Sequence, residues 1–193
     1  MAEFETFRWQ EGARLGYYLR QCPLPSLAMA HTKAPLLDAE HAAFLQRGVA
    51  ISVSSCGLDR MPSAARALGC RVADDYRGIT ILLSASQAFT LLGHVRQRGV
   101  LAASFSEPAT YRTVQIKATD ALVRPVNSAD IEHVARYRAS HARELGQLGY
   151  NPALILALLQ CPNDDLAAIS FTPAAAFSQT PGPNAGQVLL VNA

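Results

Sequence analysis

The chain has 193 residues, 50% of them hydrophobic and 17% charged, enough apolar surface for a full core and too little charge for general disorder. Seventeen basic against fifteen acidic residues leave a net charge of +2 with no Lys/Arg block, which excludes the electrostatic footprint of a nucleic-acid binder. Four cysteines, Cys22, Cys56, Cys70 and Cys161, show no CxxC or zinc-like spacing and are expected to be reduced, mostly buried thiols of a cytoplasmic protein.

The opening MAEFETFRWQE has neither the basic region nor the apolar core of a secretory signal. The longest apolar run, Ala153 to Leu159, is far short of the ~20 residues of a membrane-spanning helix. A soluble chain is expected, with neither membrane nor nucleic acid as partner.

Residues 1–37 read as an N-terminal arm. Glu11 to Cys22 fits an amphipathic helix with Leu15, Tyr18, Leu19 and Cys22 on one side, ended by Pro23 and Pro25. The arm either packs on the rest of the chain or serves as a lid or dimer arm. Asp38 is placed to cap a short helix carrying Phe44 and Leu45, with Gly48 as its stop. Val49 to Ser54 then alternates, Val49, Ile51 and Val53 inward and Ala50, Ser52 and Ser54 outward.

A turn at Cys56 to Asp59 leads to a second strand, Ser63 to Val72, and Asp74, Asp75 and Gly78 mark the turn to a third, Ile79 to Leu83. Ser84 or Ser86 caps the next helix, and Ser84 with Gln87 fits a capping box. Its apolar stripe is Ala88, Leu91, Leu92 and Val95, and Gly99 ends it. A hairpin follows. Val100 to Phe105 is the first arm, Ser106-Glu107-Pro108 breaks it, and Tyr111 to Asp120 is the second. Val114, Ile116 and Ala118 fall on one face, Thr113, Gln115, Lys117 and Thr119 on the other.

Beyond Val123 the period becomes helical. Asn127 or Ser128 caps a helix to about Gly146, lined by Ile131, Val134, Arg138, Ala142 and Leu145. Asn151-Pro152 opens another that Cys161-Pro162 closes, and Leu166 to Phe171 reads as a final strand before the turn 179–183. The expected architecture is one domain over residues 1–193, mainly β with flanking α: an arm (1–37), a barrel core (38–123), then helices, return strand and tail (124–193). The barrel is expected to have six antiparallel strands.

Several site types are absent from the sequence: GxxxxGK[ST], HExxH, GxSxG and a GxGxxG between strand and helix. His133 and His141 lie about 12 Å apart along a helix, too far to share a metal, and are expected on a solvated face. No nucleophile, base and orienting acid assemble from spacing.

The order of features, however, is informative. Pro62-Ser63, Arg66-Ala67-Leu68-Gly69-Cys70-Arg71, a third strand ending in Ser84-Ala85-Ser86-Gln87, a helix, and Tyr111-Arg112-Thr113-Val114-Gln115-Ile116-Lys117 follow one another. This resembles the pyridoxamine 5'-phosphate oxidase-like, FMN-binding split-barrel family over about residues 38–123. The tail Phe177 to Pro183 is similar to that of family members with helices after the barrel.

The resemblance implies a homodimer with FMN sites at its interface and an FMN-dependent oxidoreductase of unknown substrate. Arg66 and Arg71 match the family's two basic positions on the second strand, and a guanidinium fork suits a phosphate or a flavin carbonyl. Strict alternation puts these two on opposite faces, so sharing one ligand requires a bulge, Gly69 being the candidate. Ser84, Ser86 and Gln87 match the phosphate grip at the helix start, and Thr113 and Gln115 match the position of a flavin-contacting glutamine. Gln87 and Ala88 stand where the family carries a basic pair. Two lost charge-assisted bonds at ~1.5–3 kcal/mol each weaken FMN by ~10² or more unless compensated. The alternative is a non-catalytic split-barrel module for ligand binding or interaction that has lost tight FMN binding. The substrate residues of true pyridoxamine phosphate oxidases have no match here.

Overall fold

Two antiparallel sheets and four helices make up residues 36–189, which are the residues that the computed structural model describes. The expected helix at Glu11 to Cys22 therefore lies outside the described residues, as does Cys22. The first sheet runs β2 (Pro62–Arg66), β1 (Ala50–Cys56), β5 (Leu101–Ser106), β6 (Thr113–Ala118), β9 (Ala175–Ser178). The second runs β3 (Gly69–Val72), β4 (Ile79–Ser84), β8 (Leu166–Phe171), β7 (Leu122–Arg124). No described helix is long and apolar enough to cross a membrane.

Nine strands stand among the described residues where six were expected: two corners account for two of the additions, and β9 is the third. The run Ser63 to Val72 is not one strand. At its middle the chain leaves the first sheet, where the Ala67 N–H donates to Ile51 O, and enters the second, where the Leu68 N–H donates to Leu82 O. The continuation of the hairpin strand breaks in the same way between Ala118 and Leu122, making β6 and β7. Leu166 to Phe171 does form a strand, but between β4 and β7 rather than last, and β9 follows it.

Alternation explains the core. Ile51 and Val53 of β1, Ala103 and Phe105 of β5, and Val114 and Ile116 of β6 point inward and are at most 3% exposed. They meet Cys70, Ile79, Ile81, Leu83 and Ile169 of the second sheet in one cluster. Strand β4 is buried at every residue, because its other face is covered too. There Leu68, Leu82 and Ala168 pack under Val134, Ile155 and Leu159 of the helical region. A strand buried on both sides reads as a continuous apolar run, which is why ITILL alternates so little.

Helix α1 (Ala39–Leu45) begins as expected, with the Asp38 carboxylate accepting the His41 N–H. Phe44 is fully buried beneath the guanidiniums of Arg47 and Arg112, 5.4 and 4.6 Å from its ring centroid. Helix α2 (Phe89–Arg98) buries Leu91, Leu92 and Val95 and ends at Gly99, whose φ of 63° is a left-handed cap. The Ser84–Gln87 capping box does not form: Ala88 is the N-cap, and Ser84 Oγ only accepts the Gln87 N–H of the turn before it.

Helix α3 (Ser128–Gln147) carries a reciprocal capping box between Asn127 and Asp130, and α4 (Pro152–Leu158) is capped by Asn151. The buried stripe of α3 contains Val134, Tyr137, His141 and Ala142, so His141 is not on a solvated face. It is 3% exposed, with Nδ1 2.7 Å from Gly48 O, and stacks on Tyr137, whose hydroxyl donates to Val49 O. Gly48 is needed for this approach rather than as a helix stop. A Cβ there would lie 2.6 Å from the backbone carbon of Ser140. His133 is only partly buried.

Candidate functional site

Strand pairing sets five residues in one line across the outer face of the first sheet. Arg66 pairs with Ser52, Ser52 with Ser104, Ser104 with Gln115, and Gln115 with Phe177. Residues directly opposite across antiparallel strands share a face, so these side chains form a single row. The adjoining rows on that face add Ala102 and Lys117 on one side, Ser106 and Thr113 on the other. None of these residues is buried. The middle of the face carries only serine and alanine side chains, and polar groups frame it.

At one end stands Arg66, which makes no ion pair among the described residues. At the other, the Lys117 ammonium sits 4.9 Å from the Phe177 ring centroid. The Gln115 Oε1 accepts a long 3.5 Å bond from Gln179 Nε2, and its amide N–H groups bond no other described residue. Thr113 is less available, its hydroxyl lying 2.9 Å from Ser106 Oγ and 3.0 Å from Tyr111 O.

Arg71 lies elsewhere. Ala65 and Ala67 point into the barrel, and so do Cys70 and Val72, so the alternation slips by one between them. Gly69, with φ 157°, is at the slip. The slip comes from the passage between sheets rather than from a bulge within one strand, and it leaves both arginines on the barrel exterior. They are nonetheless in different sheets: Arg71 belongs to the row Arg71, Thr80, Ser170, Leu122.

Asp130, with 0% exposure, organises that second row. Arg124 clamps its carboxylate at 2.7 and 3.2 Å, Arg71 approaches at 3.5 Å, and Ser170 Oγ accepts from Arg124 Nε at 2.9 Å. Burial pushes the Asp130 carboxyl upward, but the Arg124 bond, the Asn127 N–H and the charges of Arg124 and Arg71 outweigh it and hold it below the usual range. A hollow of about 320 Å³ opens beside Arg71, Thr80 and Ser170, with Asp120 on its rim. Arg71 here ties a helix to a sheet, and the structure does not bring it to Arg66.

A third arrangement lies at the end of β4. The Asp165 carboxylate accepts from Ser84 Oγ at 2.6 Å, Ser86 Oγ at 2.8 Å and the Ser86 N–H at 2.9 Å. Its own backbone carbonyl accepts the Ala85 N–H at 2.6 Å. Those bonds from Ser84 first and Ser86 next hold its pKa below the ordinary carboxylate value. Two hydroxyls and an N–H converging on one anion are what a phosphate grip needs, yet the anion is the chain's own. Gln87 is exposed in the following turn and contributes only its N–H, to Ser84.

Of the seven residues read from sequence, Arg66, Thr113 and Gln115 thus share one face, while Arg71 and the group Ser84, Ser86 and Gln87 stand apart. Sequence reasoning missed Asp165, Asp130 and the Phe177–Lys117 pair. Asp165 sits 81 positions from Ser84 in a short polar break before a strand, and nothing in local spacing ties the two. Phe177 was readable as a polar-row partner only once its register with Gln115 was known.

No family model and no curated protein matches the sequence. Among solved structures the chain is similar to HupZ of Group A Streptococcus, at 13% identity and TM-score 0.46 over 78% of this chain and 99% of that one. It is also similar to an F420 reductase, at 12% identity and TM-score 0.47 over 72% and 98% of the two chains. A pyridoxamine 5'-phosphate oxidase-related, FMN-binding protein of Nostoc punctiforme matches at 10% identity and TM-score 0.40, over 71% and 77%. The structural neighbours thus include pyridoxamine 5'-phosphate oxidase-like FMN-binding proteins, the family that the sequence resembles. Likeness this loose says nothing of ligand or reaction.

Proposed function

We propose that the outer face of the five-stranded sheet binds the flat ring of a flavin, and that the chain works as a split-barrel flavoprotein whose second copy closes over that ring. The observation that carries this reading is the row Arg66, Ser52, Ser104, Gln115, Phe177. A guanidinium and a primary amide frame a smooth floor of small side chains. Ring carbonyls and ring N–H groups find donors and acceptors at its ends, and the ring plane finds no bulky side chain in its way.

When bound, the flavin supplies hydride chemistry. The chain's part is to anchor and orient it: Arg66 through its fork, Gln115 through its amide, Thr113 at the margin. None of these is an acid or base suited to proton transfer at neutral pH, so the reading stops at a flavin-dependent oxidoreductase of unspecified substrate. A second reading, a binding or interaction module without turnover, draws on one observation: the donors at the end of β4 already hold Asp165.

Titration of the purified chain with riboflavin and FMN, followed by flavin fluorescence, tests the reading. Saturable binding in the micromolar range is the expected result. No saturation up to ~1 mM, where binding free energy falls to about −4 kcal/mol, overturns it.

A further inference from the structure

Resting on the ring-binding reading, we infer that Asp165 closes the anion seat at the end of β4, so that the ligand of this chain is a flavin-class ring held without phosphate anchorage there. The seat is fully used. Ser84 Oγ, Ser86 Oγ and the Ser86 N–H all bond the Asp165 carboxylate at 2.6 to 2.9 Å. Its Ala85 N–H is also taken, by the Asp165 backbone carbonyl. A phosphate entering would have to displace a tethered carboxylate of the same sign from the same donors.

Charge points the same way. No lysine or arginine follows Ser86 before Arg96 in sequence, and the Asp165 carboxyl is stabilised as the anion. An incoming dianion thus meets a negative group and no new cation. Arg71, the other basic group matched to phosphate, is bonded to the buried Asp130. The seat at the end of β4 therefore gives a phosphorylated ligand no advantage over its unphosphorylated form, and discrimination comes from the ring.

Riboflavin and FMN titrations on the full chain, with inorganic phosphate as a separate probe, test this. In the native protein the two flavins should bind within about threefold of one another, and ~10 mM phosphate at constant ionic strength should leave the melting temperature unchanged. Asp165→Ala empties the seat, so phosphate should raise the melting temperature. Asp165→Asn keeps one acceptor while removing the charge and should move in the same direction by less, which covers the case of an unfolded alanine variant.

Native binding of FMN about tenfold or more tighter than riboflavin overturns the inference. So does a folded Asp165 variant whose melting temperature phosphate leaves unchanged. If neither flavin binds any form, the ring reading fails on its own. A phosphate effect confined to the Asp165 variants would still uphold the closed seat.

Discussion

The two sheets turn very different outer faces to their surroundings. On the four-stranded sheet Leu68, Leu82 and Ala168 lie under residues of α3 and α4, and the polar remainder, Arg71, Thr80 and Ser170, is drawn into bonds around Asp130 and Arg124. On the five-stranded sheet none of the outward row Arg66, Ser52, Ser104, Gln115 and Phe177 is buried, and its arginine, whose charge reaches Tyr137 and His141 of α3, has no carboxylate partner among the described residues. Similar residue types thus do opposite work. Where polar groups answer one another they fix architecture, and where they are left unanswered they are available to a ligand. Arg66 and Arg71, five positions apart, fall on the two sides of that divide.

The largest effect should come from breaking the satisfied face. Asp130→Ala leaves Arg124 without its anion and removes half of a capping box, so chemical denaturation should show a loss of about 3–5 kcal/mol. A loss below about 1 kcal/mol would mean that the network is ornamental. Next, Gly48→Ala forces a methyl within 2.6 Å of the Ser140 backbone, and the overpacking should cost about 1–3 kcal/mol in the same assay. An unchanged denaturation midpoint would show that α3 does not need this close approach.

The arginine pair sharpens the comparison. Arg71→Ala should destabilise the chain by about 1 kcal/mol and leave flavin affinity as it was. Arg66→Ala should do the reverse, stability shifting by no more than about 0.5 kcal/mol while flavin binding weakens about tenfold. Equal effects of the two variants on both readouts would erase the distinction between the faces.

The pH response should be the smallest signal. Burial first, and for His141 also the Arg66 charge, holds His133 and His141 below the ordinary histidine range. The unfolded chain then binds more protons once pH drops below about 6.5, and stability should decline from there downward. Asp130 and Asp165 have depressed carboxyls, so their contribution is complete above about pH 4 and fades below it. Denaturation midpoints across pH 3–8 check both limbs, and His141→Gln should flatten only the upper one.

Much of this fold could be read from local pattern, because the signals are local. The Asp38 cap, the Gly99 stop, the hairpin of β5 and β6 and the Asn151-Pro152 helix start all stand as the sequence suggests. The strand count fell short by three: Ala67–Leu68 and the Ala118–Leu122 stretch change sheets without glycine-proline punctuation strong enough to announce a corner, and β9 is a four-residue strand in what reads as tail. The site was half legible. Arg66, Thr113 and Gln115 share a face by alternation and register, whereas the occupancy of Ser84 by Asp165 and of Arg71 by Asp130 depends on contacts across 81 and 59 positions. His141 was misplaced for a related reason: its carbonyl partner, Gly48, lies 93 residues away in the connection between α1 and β1.

Ser104 lies at the centre of the unanswered face, and β-branched bulk there suits a strand while rising into the ring position. Flavin titration of Ser104→Ile beside the native chain, with the denaturation midpoint taken on the same samples, is therefore the most direct measurement. Saturable native binding that weakens about 100-fold or more in the variant at constant stability is the predicted result. Undiminished binding by Ser104→Ile, or none by the native chain, contradicts it.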